Sequence, residues 1–71
     1  MSVVRGTEIT SVSTKSFEDA IQQGIARATK TLGDVRSAWV KEEQMDVEKG
    51  QIVAYTVTMM ITVLLEDTMG Q

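Results

Sequence analysis

Apolar residues recur at helical spacing in one part of the chain and at strand spacing in another. The helical stripe consists of Phe17, Ala20, Ile21, Gly24, Ile25, Ala28 and Leu32. These intervals of three and four residues are typical of one face of a helix. Ser16 precedes the stripe as a hydroxyl N-cap, and Glu18 and Asp19 lie near the positive end of the helix dipole. The pattern predicts one amphipathic helix from about Phe17 to Thr31, ended by Gly33.

The segments on both sides of this helix have the composition of strands. Val3 to Ser13 is rich in Val, Ile, Thr and Ser, and from Val35 onward the apolar period changes to two. Val35 to Val47 and Ile52 to Leu65 are predicted as two long strands, joined by a tight hairpin turn at Lys49-Gly50. The sequence therefore predicts a β-α-β-β fold of the α+β class, in which a three-stranded antiparallel sheet wraps on one helix.

The predicted hairpin sorts its residues into two faces, because cross-strand partners should have numbers that sum to about 99. The first face is nearly all apolar, and we expect the helix to cover it as the core. Its members are Ala38, Val40, Val53, Tyr55, Val57, Met59, Ile61, Val63 and Leu65. The second face carries Ser37, Trp39, Lys41, Glu43, Met45, Thr56, Thr58, Met60, Thr62 and Leu64. Because this mixture is too apolar for open water and too polar for a core, we expect an interface or a ligand wall there.

Composition removes several classes of function. The 71 residues include no His, Cys or Pro, which excludes an imidazole base, a thiol nucleophile, a disulfide and a thiolate zinc site. No pair of carboxylates is marked for acid-base catalysis, so we do not expect an enzyme. A net charge of −3 and a pI near 4.7 argue against a nucleic-acid partner, because phosphate binding requires clustered Lys and Arg.

The length of the chain favours self-association as a source of stability. A chain this short buries about 60% of its unfolded surface, and one core of this size rarely supplies more than about 3 to 5 kcal/mol of stability.

The start of the chain lacks the pattern of a signal peptide, and the apolar run Met59 to Leu65 is too short to span a membrane. We expect one domain over residues 1–66, a frayed tail at 67–71, a cytoplasmic location and no membrane partner.

A set of short segments adds a family resemblance. The segments are Glu8, Ser13 to Ala20, Ala20-Ile21-Gln22-Gln23-Gly24, Ala26-Arg27-Ala28, Thr31-Leu32, Gly50, Tyr55, Val57-Thr58-Met59 and Leu65-Glu66-Asp67. In this order and spacing they resemble the dodecin family, over nearly the whole chain. The resemblance implies a hollow homododecamer that binds a flavin, and in some members coenzyme A, as a storage or sequestering protein without turnover.

The chain departs from this family at the residues expected to hold the flavin. The resemblance implies a stacking Trp at the position of Ser37 and a hydrogen-bonding Gln at the position of Thr56. The single Trp of the chain is Trp39, two residues further on the same face, where it should lie opposite Met60. The candidate cofactor-binding residues are therefore Trp39, Ser37, Thr56 and Met60, with FMN, riboflavin or a related aromatic nucleotide as the ligand.

Two alternatives stay open beside a flavin site. Trp39 can instead serve as an interface plug against Met60, since a thioether packs well on an aromatic edge. The family's basic residues fall at Gln44, Met60 and Leu64, so cationic support for a phosphate tail is reduced. An acidic cluster consists of Glu42, Glu43, Asp46 and Glu48. It is either a solvated edge or, in a shell that has lost flavin binding, a calcium site.

Overall fold

The computed structural model describes residues 2–67, which form three strands and one helix. The elements are β1 (Ser2–Ser13), α1 (Phe17–Leu32), β2 (Val35–Glu48) and β3 (Gln51–Asp67). β3 lies between β1 and β2 and is antiparallel to both. This arrangement confirms the predicted β-α-β-β order and the three-stranded antiparallel sheet. Apart from Asp67, the last residue of β3, the predicted tail lies outside the described residues.

The start of α1 is held by short polar side chains. The backbone N–H of Asp19 donates to the Ser16 hydroxyl at 2.9 Å, which confirms Ser16 as the N-cap. One residue before the β1–α1 connection, the buried Ser13 hydroxyl donates to the Asp19 carboxylate at 2.6 Å and accepts from the Lys15 N–H at 2.9 Å. These bonds satisfy amide groups that a helix start leaves free, and they fix the angle between β1 and α1.

The core lies between one face of α1 and the middle of β3. The fully or nearly buried apolar residues are Ala20, Ala28, Val57, Met59, Ile61 and Val63. Gly24 also packs here, because a Cβ atom at this position would lie 2.7 Å from Met59 Cε and 3.1 Å from Ser11 Cβ. Phe17 and Tyr55 close one end with an edge-to-face contact between ring centroids 5.1 Å apart. Small residues on α1 thus let the helix lie close to the sheet.

The helix covers much less of the sheet than the sequence predicts. Four residues assigned to the core are exposed in the single chain: Ala38, Val40, Val53 and Leu65. Leu32, at the end of the helical stripe, is exposed as well. One reason is length: the 16 residues of α1 span about 24 Å, whereas the molecule is 58 Å long, so Val53 and Leu65 lie past the helix. The other reason is width: Ala38 and Val40 lie on the edge strand β2 and stay exposed although their β3 partners are buried.

Bulges in β2 change which residues share a face. Trp39 pairs with Met60 as predicted, but the register shifts between Val40 and Glu42. One extra residue in a strand reverses the alternation of side chains beyond it. Glu43 therefore pairs with Val57, and Met45 with Tyr55, on the face that α1 covers. The predicted positions of Glu43 and Met45 on the second face were wrong.

The hairpin turn has the backbone that its sequence predicts. Lys49 and Gly50 have φ values of 52° and 78°, and Glu48 pairs with Gln51 on either side of them. Two consecutive residues with positive φ match a type I′ turn, whose twist suits an antiparallel hairpin. Within residues 2–67, no helix has the length and apolarity needed to span a membrane.

Replacing Ser13 with Ala should destabilise the fold. The change removes the hydroxyl that joins the Lys15 N–H to the Asp19 carboxylate, and a lost buried hydrogen bond of this kind costs about 1 to 2 kcal/mol. Urea unfolding at fixed protein concentration measures this loss. Thr14→Ala is the matched control, because Thr14 is exposed beside the same connection. Equal stability of the two variants would contradict the assigned role of Ser13.

Candidate functional site

The sheet surface that is turned away from α1 is called the open face. Register places three-residue rows across β1, β3 and β2 on it: Gly6–Thr62–Ser37, Glu8–Met60–Trp39, Thr10–Thr58–Glu42 and Val12–Thr56–Gln44. All four candidate residues lie on this face. Ser37, Trp39 and Met60 occupy two adjacent rows, whereas Thr56 lies two rows from Met60, roughly 13 Å along β3. The structure therefore brings three of the candidates together and leaves Thr56 apart.

Trp39 is the largest side chain of the open face. It is 55% exposed, and its direct cross-strand partner is the half-buried Met60. Such partners have Cβ atoms about 5 Å apart, within contact distance for an indole and a thioether. On the other side of Met60, a Cβ atom added at Gly6 would lie 3.6 Å from Met60 Sδ. Met60 Sδ thus reaches toward β1, to an ordinary van der Waals distance from that position.

The rows on each side of Trp39 carry short hydroxyl side chains. The hydroxyl oxygens of Ser37 and Thr62 are 2.6 Å apart, and those of Thr10 and Thr58 are 3.3 Å apart. An exposed indole between low, polar rows can offer an aromatic surface to a planar molecule, with hydroxyl groups beside it. This is the one arrangement on the open face that combines stacking with hydrogen bonding.

Gln44 lies on the open face, and the sequence analysis did not assign it to the site. The bulge after Val40 pairs Gln44 with Thr56, so its exposed amide lies beside the Thr56 hydroxyl. An amide can both donate to and accept from a heterocycle. The residue type was visible in the sequence, but its face depended on a bulge that the alternation of apolar residues does not reveal.

An ion pair joins the two edge strands across the Met60 row. Lys41 Nζ donates to Glu8 Oε1 at 2.8 Å, which puts the ammonium on the open face, as predicted. The hydrogen bond and the charge of Glu8 raise the pKa of Lys41 above its ordinary value. The two side chains are 44% and 48% exposed, so water screens the pair and it contributes little to stability. The pair is important because it places one positive and one negative charge beside Trp39.

The acidic cluster does not gather on one side of the chain. Register assigns Glu42 and Asp46 to the open face, and Glu43 and Glu48 to the face that α1 covers. Within the described residues, no group of three acidic side chains is arranged to hold a metal ion.

The single chain has two depressions beside the helix. One of about 440 Å³ lies between α1 and β1, lined in part by Ser11, Gly24 and Ala28. Another of about 470 Å³ lies against the outer surface of α1, lined in part by Arg27 and Lys30. Trp39, Met60 and Ser37 line neither of them. The open face is uncovered in the single chain, so a molecule bound there would stay in contact with water unless a second surface covered it.

Comparisons with known proteins agree with this architecture. Residues 3–66 match the family model described as Dodecin. The dodecin from Streptomyces davaonensis is 32% identical, with 93% of this chain and 97% of that chain covered and a TM-score of 0.87. A tryptophan-to-phenylalanine variant of the T. thermophilus dodecin is 30% identical, with 94% and 100% covered and a TM-score of 0.85.

The name of a third solved structure includes a ligand. The calcium dodecin from Mycobacterium tuberculosis, described as calcium chelating, is 26% identical, with 97% of this chain and 99% of that chain covered and a TM-score of 0.77. No curated protein matches the chain. The matches cover nearly the full length of both partners, so the likeness extends over the sheet, the helix and the hairpin together.

Replacing Glu8 with Gln should lower the pKa of Lys41 toward its ordinary value. The raised pKa means that the pair stabilises the folded chain below the unfolded-state pKa of about 10.4, and that this contribution is lost as pH rises through the folded-state pKa. NMR titration of the Lys41 ammonium measures the change. Glu18→Gln, which removes the same charge from the start of α1, should leave this titration unaltered. A Lys41 titration that Glu8→Gln does not move would contradict the pair.

Proposed function

The chain belongs to the dodecin family, and from that membership we propose that it is a non-catalytic binding protein. Twelve copies form a hollow cytoplasmic shell whose inner wall is the open face. The shell stores or sequesters a flavin, such as riboflavin or FMN, or a related aromatic nucleotide. Trp39 is the residue on which the aromatic ring of the ligand stacks.

The observation that carries this proposal is the exposed indole of Trp39 on a flat, half-polar sheet. A planar ligand on an indole gains on the order of 1 kcal/mol beyond simple burial of area. Family likeness expects the stacking residue at Ser37, and Trp39 lies two positions along the same strand face, a displacement of roughly 6.6 Å. The ligand therefore sits one row further along the sheet, over the Met60 row.

Polar contacts to the ring come from different residues than family likeness expects. Thr56, at the position of the expected Gln, has only a hydroxyl and, like its cross-strand partner Gln44, lies two rows from Trp39, so neither reaches the stacked ring within one chain. The hydroxyl groups nearest to the ring are those of Ser37 and Thr62 on one side of it and of Thr10 and Thr58 on the other. Coenzyme A, the second ligand that family likeness suggests, has less support because Met60 and Leu64 stand where basic residues are expected.

The second wall of the site comes from another copy of the chain. A flat face cannot remove a ring from water alone, and small-molecule sites bury most of the ligand surface. The same chain leaves Val40, Val53 and Leu65 uncovered on the opposite face of the sheet. Self-association covers these residues, and the symmetry of a closed shell brings open faces together.

A cation-binding shell that has lost flavin binding is the second candidate function. It is favoured by the name of one solved structure, the calcium dodecin. The division of the acidic cluster between two faces counts against a site within one chain, so calcium would have to lie between copies. A dodecin-like shell with neither ligand would have a structural role alone.

Riboflavin fluorescence should be quenched by micromolar protein, and Trp39→Ala should abolish the quenching. The reason is that stacking binds the flavin and brings its ring into contact with the indole, which quenches the flavin fluorescence. Val12→Ala is the matched control, because Val12 is also 55% exposed on the open face, two rows from Trp39. Absence of quenching in the unaltered protein, with a melting temperature that calcium raises and a chelator lowers, would instead support the cation-binding shell.

Light scattering should give a mass near twelve times the 7.8-kDa subunit. Replacing Val53 with Asp should lower that mass, because it sets a charge on an uncovered apolar surface that a neighbouring copy must desolvate. Gln51→Asp places the same charge at the exposed end of β3 beside the turn and should leave the mass unchanged. A stable monomer of the unaltered protein would overturn the shell.

A further inference from the structure

The open face carries an unbalanced set of charges around Trp39. Three acidic residues belong to it by register or contact, Glu8, Glu42 and Asp46. Of the seven cationic residues in the chain, the described structure brings one, Lys41, to this face. Each copy of the open face therefore has more negative than positive charge.

The other cations are held elsewhere in the fold. Arg5 pairs with Val63 on the face that α1 covers, and Arg36 Nε donates to Asp34 at 3.0 Å. The remaining four lie on α1 or in two of the three connections: Lys15, Arg27, Lys30 and Lys49. Arg36 is next to a residue in the rows around Trp39, and Asp34 offsets its charge as Glu8 offsets that of Lys41.

The single cation of the open face is already neutralised. Lys41 Nζ and Glu8 Oε1 are 2.8 Å apart, so an anion that contacts the ammonium also lies close to the carboxylate. Attraction and repulsion of nearly equal size cancel for such an anion. The raised pKa of Lys41 agrees with this, because it reflects the hold of Glu8 on the ammonium.

Symmetry does not reverse this balance among open faces. In a closed homo-oligomer each copy presents the same residues, so every added open face brings one more cation and three more acids. A compartment lined by these faces has a negative potential, which repels a phosphate and leaves a neutral polyol tail unaffected.

We propose that the Trp39 site selects an aromatic ligand with an uncharged tail, of the riboflavin type, over the corresponding phosphate ester, and that Glu8 is the specificity-determining residue. This inference rests on the proposed function. Both ligands have the same ring, so stacking on Trp39 and hydrogen bonds to the ring do not distinguish them. Only the tail distinguishes them. Glu8 is the acid next to Lys41, the cation that a phosphate would otherwise bind.

Dissociation constants for riboflavin and FMN at low and high salt test this inference. At about 20 mM salt we expect riboflavin to bind about tenfold more tightly than FMN, and at about 500 mM salt we expect a difference below about twofold, because salt screens the charges. Glu8→Gln should reduce the low-salt ratio to about threefold by freeing Lys41. Lys41→Met should increase the ratio, and Glu18→Gln, with the same charge change on α1, should leave it unchanged.

The outcomes separate the inference from the function on which it rests. FMN binding that equals or exceeds riboflavin binding would overturn the selectivity while the proposed flavin function stands. A preference for riboflavin that persists at high salt, or that Glu8→Gln does not reduce, would assign the selectivity to shape and overturn the role of Glu8. Binding of neither flavin at either salt would overturn the proposed function and this inference together.

Discussion

One helix of 16 residues cannot cover a sheet whose strands have 12, 14 and 17 residues. A residue in a helix advances the chain by about 1.5 Å and a residue in a strand by about 3.3 Å, so the mismatch follows from the element lengths alone. α1 buries the middle of β3, from Val57 to Val63, and leaves apolar side chains at both ends of the sheet in contact with water. These side chains would leave water only if a second surface covered them.

The same mismatch explains why the proposed binding site lies on the open face. A second helix would have made this face a core, with continuous apolar residues on both sides of the sheet. Instead the open face has Trp39 and Met60 between rows of hydroxyl side chains. Such a composition suits contact with water and with an aromatic ring. In the proposed function, assembly and ligand binding therefore depend on one condition, the meeting of sheet faces from different copies.

Local chemistry made most of the fold predictable. The N-cap at Ser16 follows from the preference for a short hydroxyl side chain at a helix start, and the turn at Lys49-Gly50 from the freedom of glycine to adopt positive φ; the structure agrees with both. The site was less predictable because it depends on register. The bulge after Val40 moved Glu43 and Met45 to the covered face and brought Gln44 opposite Thr56. The pairing of Glu8 with Lys41 joins strands that are neighbours of β3 rather than of each other, and alternation within one strand carries no information about such a contact.

The central claim is that the folded chain is completed by other copies of itself, and the dependence of its melting temperature on protein concentration tests this most directly. Because dissociation accompanies unfolding in such an assembly, the melting temperature should rise as concentration increases from about 1 to about 100 µM. A melting temperature that stays constant over this range, with a sedimenting mass of 7.8 kDa at both ends, would contradict the account.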